Sequence, residues 1–150
     1  MAGLWFEQFR VDQVFEHEIR RTVTEADNVW FCGATYNPAA IHIDAEYCET
    51  TEFGRPLMNS IFTLGLVIGL SVQETTLGTT VANLGMTDVR FPKPVFHGDT
   101  IHARSTVVST RRSKSRTDAG IVEFEHVGLN QRGEQVAICR RAALMKTKPA

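Results

Sequence analysis

Several things are scarce in this chain of 150 residues, and each scarcity excludes something. An excess of one charge is missing. Sixteen basic and seventeen acidic residues leave a formal net charge of -1, so neither nucleic acid nor an anionic membrane surface is an expected partner. Cysteine is sparse: Cys32, Cys48 and Cys139 are odd in number and widely spaced, with no CxxC pair. Reduced thiols in a cytoplasmic protein are expected rather than disulfides or zinc. The opening MAGLWFEQFRVDQ has no basic stretch ahead of an apolar core, so no export leader is expected. Repeats, low-complexity tracts and linkers are absent. The length suits one domain over residues 1–150, large enough to bury a core without staples.

One apolar run is present, Leu57–Gln73, reading LMNSIFTLGLVIGLSVQ. It falls short of the roughly 20 apolar residues of a membrane span. It also carries Asn59, Ser60, Thr63, Ser71 and Gln73 and lacks aromatic and basic anchors, so a buried helix is expected. Gly65 and Gly69 then mark places where a sheet or a partner's backbone comes close.

The order of elements is informative. Phe15–Val23 reads as a first strand. Thr24 reads as a helix cap, with Asp27 three residues on in a capping-box arrangement, and a helix follows over Glu25–Ala34. Thr35–Ile43 is irregular, with a turn of helix around Ala45–Thr51. Pro56 fits the first turn of the apolar helix, which runs to about Gln73 or Thr76 and ends at Gly78. Strands follow over Thr80–Phe91, Thr100–Thr110, Ile121–Asn130 and Glu134–Met145, the last two joined by a tight Gln131–Glu134 turn. Ile101, Ala103, Ser105 and Val107 share one side of their strand. So do Val122 and Phe124, with Glu123 and Glu125 on the other. A helix apolar almost all round must be covered on nearly every side, and a curved antiparallel sheet wrapped around it is the simplest cover. That is an α+β arrangement resembling the hot-dog fold, whose exposed sheet edges are commonly resolved by pairing in a dimer.

The stretch TYNPAAIHIDAEYCE, Thr35–Glu49, places Asn37, His42 and Asp44 within eight residues. An amide, then a His five residues later, then x-Asp, just upstream of such a helix, resembles the MaoC-like (R)-specific enoyl-CoA hydratase/dehydratase family. The family motif runs roughly Gly-Asp-x-Asn-Pro-x-His-x-Asp. With His42 and Asp44 on its last His and Asp, Asn37 stands where the catalytic Asp stands. Ala39 and Ala40 replace the motif's Asn-Pro, and the local Asn37-Pro38 is two positions out of register. EFGRPLMNSIFTL resembles the start of the family's helix, with Ser60 where a Gly usually supplies an oxyanion-hole N–H. VRFPKPVFHGDTI resembles the family's strand–loop–strand signature. With TEFGRPLMN, TTLGTTVANLG and SKSR, the chain is similar to the mesaconyl-CoA hydratase (β-methylmalyl-CoA dehydratase) branch, which also tends to carry Asn before the His.

The resemblance implies the hydration of a small or branched, possibly dicarboxylic, enoyl-CoA. Water adds at Cβ and a proton at Cα while the thioester oxygen gains enolate charge. His42 would be the acid/base, since imidazole changes protonation near neutral pH. Asn37 cannot take a proton but can orient the water. The oxyanion donor would be a backbone N–H near Ser60, where helix-start amides are unpaired and the dipole is positive. Asp44 would share in proton transfer or hold the loop. Substrate contacts would fall to Asp44, Arg55, Asn59, His97, Gly98, Lys114 and Arg116. Each has a plainer reading: Gly98-Asp99 is a turn before a strand, Arg55 pairs with Glu52, and the basic run Arg111, Arg112, Lys114, Arg116 is a solvated hairpin. His17, His102 and His126 read as strand or surface histidines, with no metal-ligand grouping. The resemblance also implies a homodimer or higher oligomer, coenzyme A only as part of the substrate, and no metal or redox cofactor. Two other readings stand beside it. An acyl-CoA-binding or regulatory protein without activity fits the departures at 37, 39 and 60. A thioesterase generally needs a carboxylate on the central helix, and Leu57–Gln73 has none.

Overall fold

A computed structural model describes residues 3–149. Glu25–Ala34 forms helix α1, with the bounds its sequence predicts. The reason is local: the Asp27 N–H donates to Thr24 Oγ1 and the Thr24 N–H donates back to the Asp27 carboxylate at 2.9 Å. Thr35–Ile43 is less irregular than expected, since Ala40–Ile43 forms one short turn, α2. Helix α3 follows over Ala45–Glu49.

The apolar helix α4 spans Ser60–Thr75. Its start corrects the placement of Pro56, which lies ahead of the helix. Leu57 instead makes a bridge to Phe96, and Asn59 caps the helix by accepting from the Ile61 and Phe62 amides at 3.0 and 3.4 Å.

The expected first strand is two short pieces, β1 (Val14–Glu16) and β2 (Arg21–Thr22), both antiparallel to β4 (Thr100–Arg112). The break between them follows His17, whose ring turns inward to Glu74 and Ser105. With β3 (Thr80–Arg90), β5 (Ala119–Leu129) and β6 (Gln135–Lys146), the sheet has the order β1-β4-β5-β6-β3. β4 and β5 alternate buried and open positions as the sequence predicts, whereas β6 buries Val136, Ala137, Ile138 and Cys139 in succession.

α4 lies on the sheet through Val67 and Leu70, which pack with Ile101, Ala103 and Val136. Close approach happens at Gly128 on β5: a Cβ there would stand 2.3 Å from Val67 Cγ2. It does not happen at Gly65 or Gly69, where a Cβ would meet nothing within 4 Å of the described residues. The sheet covers one side of α4, burying Thr63, Leu64, Val67, Leu70, Ser71 and Thr75. Ile61, Gly65 and Gly69 on the other side stay exposed. A second apolar cluster, Phe6, Phe9, Val107, Val122, Phe124, Ala143 and Met145, lies farther along the same sheet face.

Between the clusters runs a row of polar groups. Arg141 Nε donates to His126 Nε2 at 3.1 Å, so His126 is neutral with its proton on Nδ1, which reaches Ser105 Oγ at 2.6 Å. The Ser105 hydroxyl then donates to His17 Nε2 at 2.8 Å, and His17 Nδ1–H donates to the Glu74 carboxylate. From Arg141 Nε to Glu74 each donor of the row faces an acceptor, while one terminal guanidinium nitrogen of Arg141 has no partner among the described residues. Burial above all, then the Arg141 charge, pushes the His126 pKa well below its ordinary value. No helix among the described residues is long and apolar enough to cross a membrane.

Candidate active site

α1 ends with Tyr36 in the left-handed region, at φ 56°, and the chain reverses. Asn37 follows, its Oδ1 accepting the Ala39 N–H at 3.0 Å. That Asx turn leaves the Asn37 amide hydrogens as the side chain's free donors, beside a shallow hollow of about 530 Å3 that Cys32, Pro38 and Ile43 also line. His42 sits on α2, half-buried. Its Nδ1 lies 2.7 Å from the Leu57 carbonyl oxygen, which can only accept, so the neutral ring is the Nδ1–H tautomer. Nε2 keeps its lone pair and has no partner among the described residues. Asp44 caps α3 by accepting the Tyr47 N–H at 2.9 Å.

Ser60 is the first residue of α4. With Asn59 Oδ1 occupied by the next two amides, the Ser60 N–H is left without an acceptor among the described residues, at the positive end of the helix dipole. A cavity of about 200 Å3 opens beside it, lined by Phe53, Met58, Phe91, Lys93 and Val136 among others. Arg55 does not pair with Glu52; its guanidinium lies 3.9 Å from the centre of the Phe96 ring. Gly98, at φ 95°, makes the turn after His97. Asp99 holds that turn: its carboxylate takes the Phe96 N–H at 3.0 Å and Gln131 Nε2 at 2.8 Å. Burial pushes the Asp99 pKa up, but the bonds from Gln131 and Phe96 and the Arg132 charge outweigh it, and the pKa is lowered.

The structure therefore gathers His42, Asn59, Ser60, Gly98 and His97 around the start of α4, with Arg55 close by. Asn37 lines a separate hollow. Lys114 and Arg116 stand on the β4–β5 hairpin, the whole length of the 13-residue β4, roughly 40 Å, from the His97 turn. Arg116 is already paired with Asp118 at 2.7 Å. α4 does carry one carboxylate, Glu74, just past the run read for it in the sequence. It belongs to the His17 row at the far end of a 16-residue helix, about 20 Å from Ser60.

Two residues of the site go unread in the sequence. Lys93 reaches the cavity from the loop after β3. Asn28, fully buried on α1, touches three segments of the site at once. Its only signal is an amide sharing the buried face of α1 with Cys32. Among the described residues no three His, Cys, Asp or Glu side chains converge as a metal-ligand set.

The chain is similar to known proteins over most of its length. The chain is 32% identical over 135 residues to the mesaconyl-CoA hydratase of Cereibacter sphaeroides, a match covering 90% of this chain and 39% of that one. The chain spans only 38–39% of the length of the first curated relatives it matches. The structure of a monoamine oxidase regulatory protein from Archaeoglobus fulgidus superposes with a TM-score of 0.87 at 31% identity, covering 99% of this chain and 98% of that one. A Mycobacterium tuberculosis protein with a double hot-dog fold superposes with a TM-score of 0.86 at 22% identity, over 98% of this chain and 45% of that one. The fold is thus the hot-dog fold. With residues 6–129 matching the family described as the MaoC like domain, the chain belongs to that family.

Proposed function

We propose that the chain catalyses the reversible, (R)-specific hydration of a small or branched enoyl-CoA, of the dicarboxylic mesaconyl type. The observation that carries this is the pairing of two idle groups at the start of α4: the unpartnered Ser60 N–H, which lines the cavity, and the lone pair of His42 Nε2, whose ring is held by the carbonyl of Leu57, another residue of the cavity wall. In the forward direction His42 Nε2 takes a proton from water as the oxygen bonds to Cβ. The Cα=Cβ electron pair moves toward the thioester, and the Ser60 N–H stabilises the oxygen that gains charge. The imidazolium then returns its proton to Cα. Asn37 lines a hollow shared with Ile43, the residue after His42, and in this reading its free amide hydrogens orient water entering from that side. Arg55 contacts an anionic part of the substrate. Lys114 and Arg116 serve the coenzyme A phosphates only if a second copy brings them to the site. The reading takes no metal or redox cofactor and one domain over 1–150.

It also takes a homodimer. β3 is an unpaired sheet edge with all eleven residues exposed, Leu84 at 51% among them. The open stripe of α4 carries Ile61 at 59%. Two copies pairing along β3 would remove the free edge and supply a unit comparable in length to the longer relatives. A cytoplasmic setting rests on the three buried, unbridged thiols.

The test is to follow the loss of enoyl-thioester absorbance with mesaconyl-CoA and crotonyl-CoA side by side. Faster turnover of mesaconyl-CoA supports the dicarboxylic assignment. Retained affinity for CoA esters with no turnover favours the second reading, an inactive acyl-CoA-binding protein. That reading draws on Asn37 standing where the family has Asp, with its Oδ1 already engaged by Ala39.

A further inference from the structure

Asn28 lies on α1 and is 0% exposed. Its amide nitrogen stands 2.9 Å from the His42 carbonyl oxygen, 3.0 Å from the Leu57 carbonyl oxygen and 3.2 Å from His97 Nε2. Its Oδ1 accepts the Asn59 N–H at 2.9 Å. The amide has two hydrogens for three acceptors, and the two carbonyls stand nearer. A flipped amide would set Oδ1 against two carbonyl oxygens and leave the Asn59 N–H facing a donor, so only one orientation is tolerated. No other side chain of this size offers two donors and one acceptor in a plane. Aspartate would set lone pairs against both carbonyls, and leucine would strand the buried Asn59 amide.

Those bonds have consequences for His42 and Ser60. The Leu57 oxygen has two lone pairs, one taken by Asn28 and the other by His42 Nδ1–H, so its direction fixes both the tautomer and the plane of the imidazole. The bond to the His42 carbonyl fixes the backbone that carries the ring. The bond from Asn59, the residue just before Ser60, fixes where the Ser60 N–H points. These segments lie 14, 29 and 31 residues from Asn28 in sequence.

We infer that Asn28 is a positioning residue for the hydration reaction: its amide sets the tautomer of His42 and the placement of the base relative to the Ser60 oxyanion donor. This rests on the hydratase reading above. The competing possibility is a buried staple that only stabilises the loop.

The test uses the whole chain with 15N-labelled histidine, the His42 signal being assigned by its loss in His42→Ala. In the unaltered protein His42 shows Nδ1 protonated and Nε2 bare near neutral pH; the opposite tautomer overturns the inference without any Asn28 variant. Asn28→Asp keeps the shape and loses both donors, and Asn28→Ala removes the whole group. In either variant that folds, the His42 tautomers become mixed. The kcat per folded molecule with enoyl-CoA falls by about 10- to 100-fold while KM changes by less than about threefold, as expected of misplacement rather than lost binding. A lowered melting temperature with the tautomer unchanged and kcat within about twofold overturns it, because a staple predicts that result. If the unaltered chain turns over no enoyl-CoA, the hydratase reading falls, and the nitrogen signals still decide whether Asn28 governs His42.

Discussion

At the scale of single residues, His42 and Asn37 separate chemistry from binding. His42→Ala removes the bare imidazole nitrogen that the Leu57 carbonyl holds in place just ahead of α4. Hydration should fall by about 10²- to 10⁴-fold, the usual worth of a general acid/base, while affinity for a CoA ester stays within a few-fold. Loss of affinity in parallel with rate would place His42 in binding instead. Asn37→Asp restores the carboxylate of the family motif. If water activation limits the rate, turnover rises; a fall would show that the amide is the adapted group. His42, Asn37 and Ser60 are legible in sequence because they sit in short motifs of fixed spacing. Asn28 is not, because its partners His42, Leu57, Asn59 and His97 come from three other segments and leave no spacing to read.

At the scale of elements, two contacts decide how α4 is held. Asn59→Ala removes the cap of two amides and should destabilise the protein by about 1 kcal/mol in urea unfolding. The Gly128–Val67 approach makes a sharper test. Gly128→Ala forces a methyl group to within 2.3 Å of Val67 Cγ2 and should cost about 1–3 kcal/mol. Adding Val67→Ala makes room for that methyl, so the double variant should be more stable than the sum of the two single losses implies; strict additivity would mean the close approach carries no strain. α1 is legible to the residue because its cap, its box and its end lie within a dozen positions. The break between β1 and β2 is not, because the His17 ring answers to Glu74 and Ser105, 57 and 88 residues away.

At the scale of the whole molecule, the buried polar row ties stability to pH. Folding holds His126 neutral, with its pKa well below the ordinary value. The unfolded chain takes up that proton as pH falls through about 6.5. Between the two values the unfolded state binds more protons, so stability rises with pH and is lost as pH drops below about 6.5, by up to about 1.4 kcal/mol per pH unit for this one group. His102 is shifted the same way, chiefly by burial. Urea midpoints from pH 8 to 5 should therefore fall in a window above the one where carboxylates protonate. His126→Gln should flatten most of that fall, and an unchanged profile would remove His126 as its cause. Assembly is the other property of the whole molecule. Light scattering should find a dimer that Leu84→Asp, on the open β3 edge, converts to monomer with its secondary structure intact; a monomeric unaltered chain would exclude the proposed pairing.

By itself the sequence determined the capped helix α1, the alternation of β4 and β5, the apolar α4 and the His42-x-Asp44 motif. All of these rest on periodicity, caps and spacing over a few residues, which is the range at which the chain's own sterics and hydrogen bonds act. Only the tertiary structure decided that Gly128 rather than Gly65 or Gly69 lets α4 approach the sheet. Only it decided that Asn28 joins the segments of the site, and that Lys114 and Arg116 stand far from it in one chain. Those outcomes depend on which surfaces meet once the sheet closes over one side of the helix, and a contact between residues tens of positions apart leaves no periodic trace in either partner.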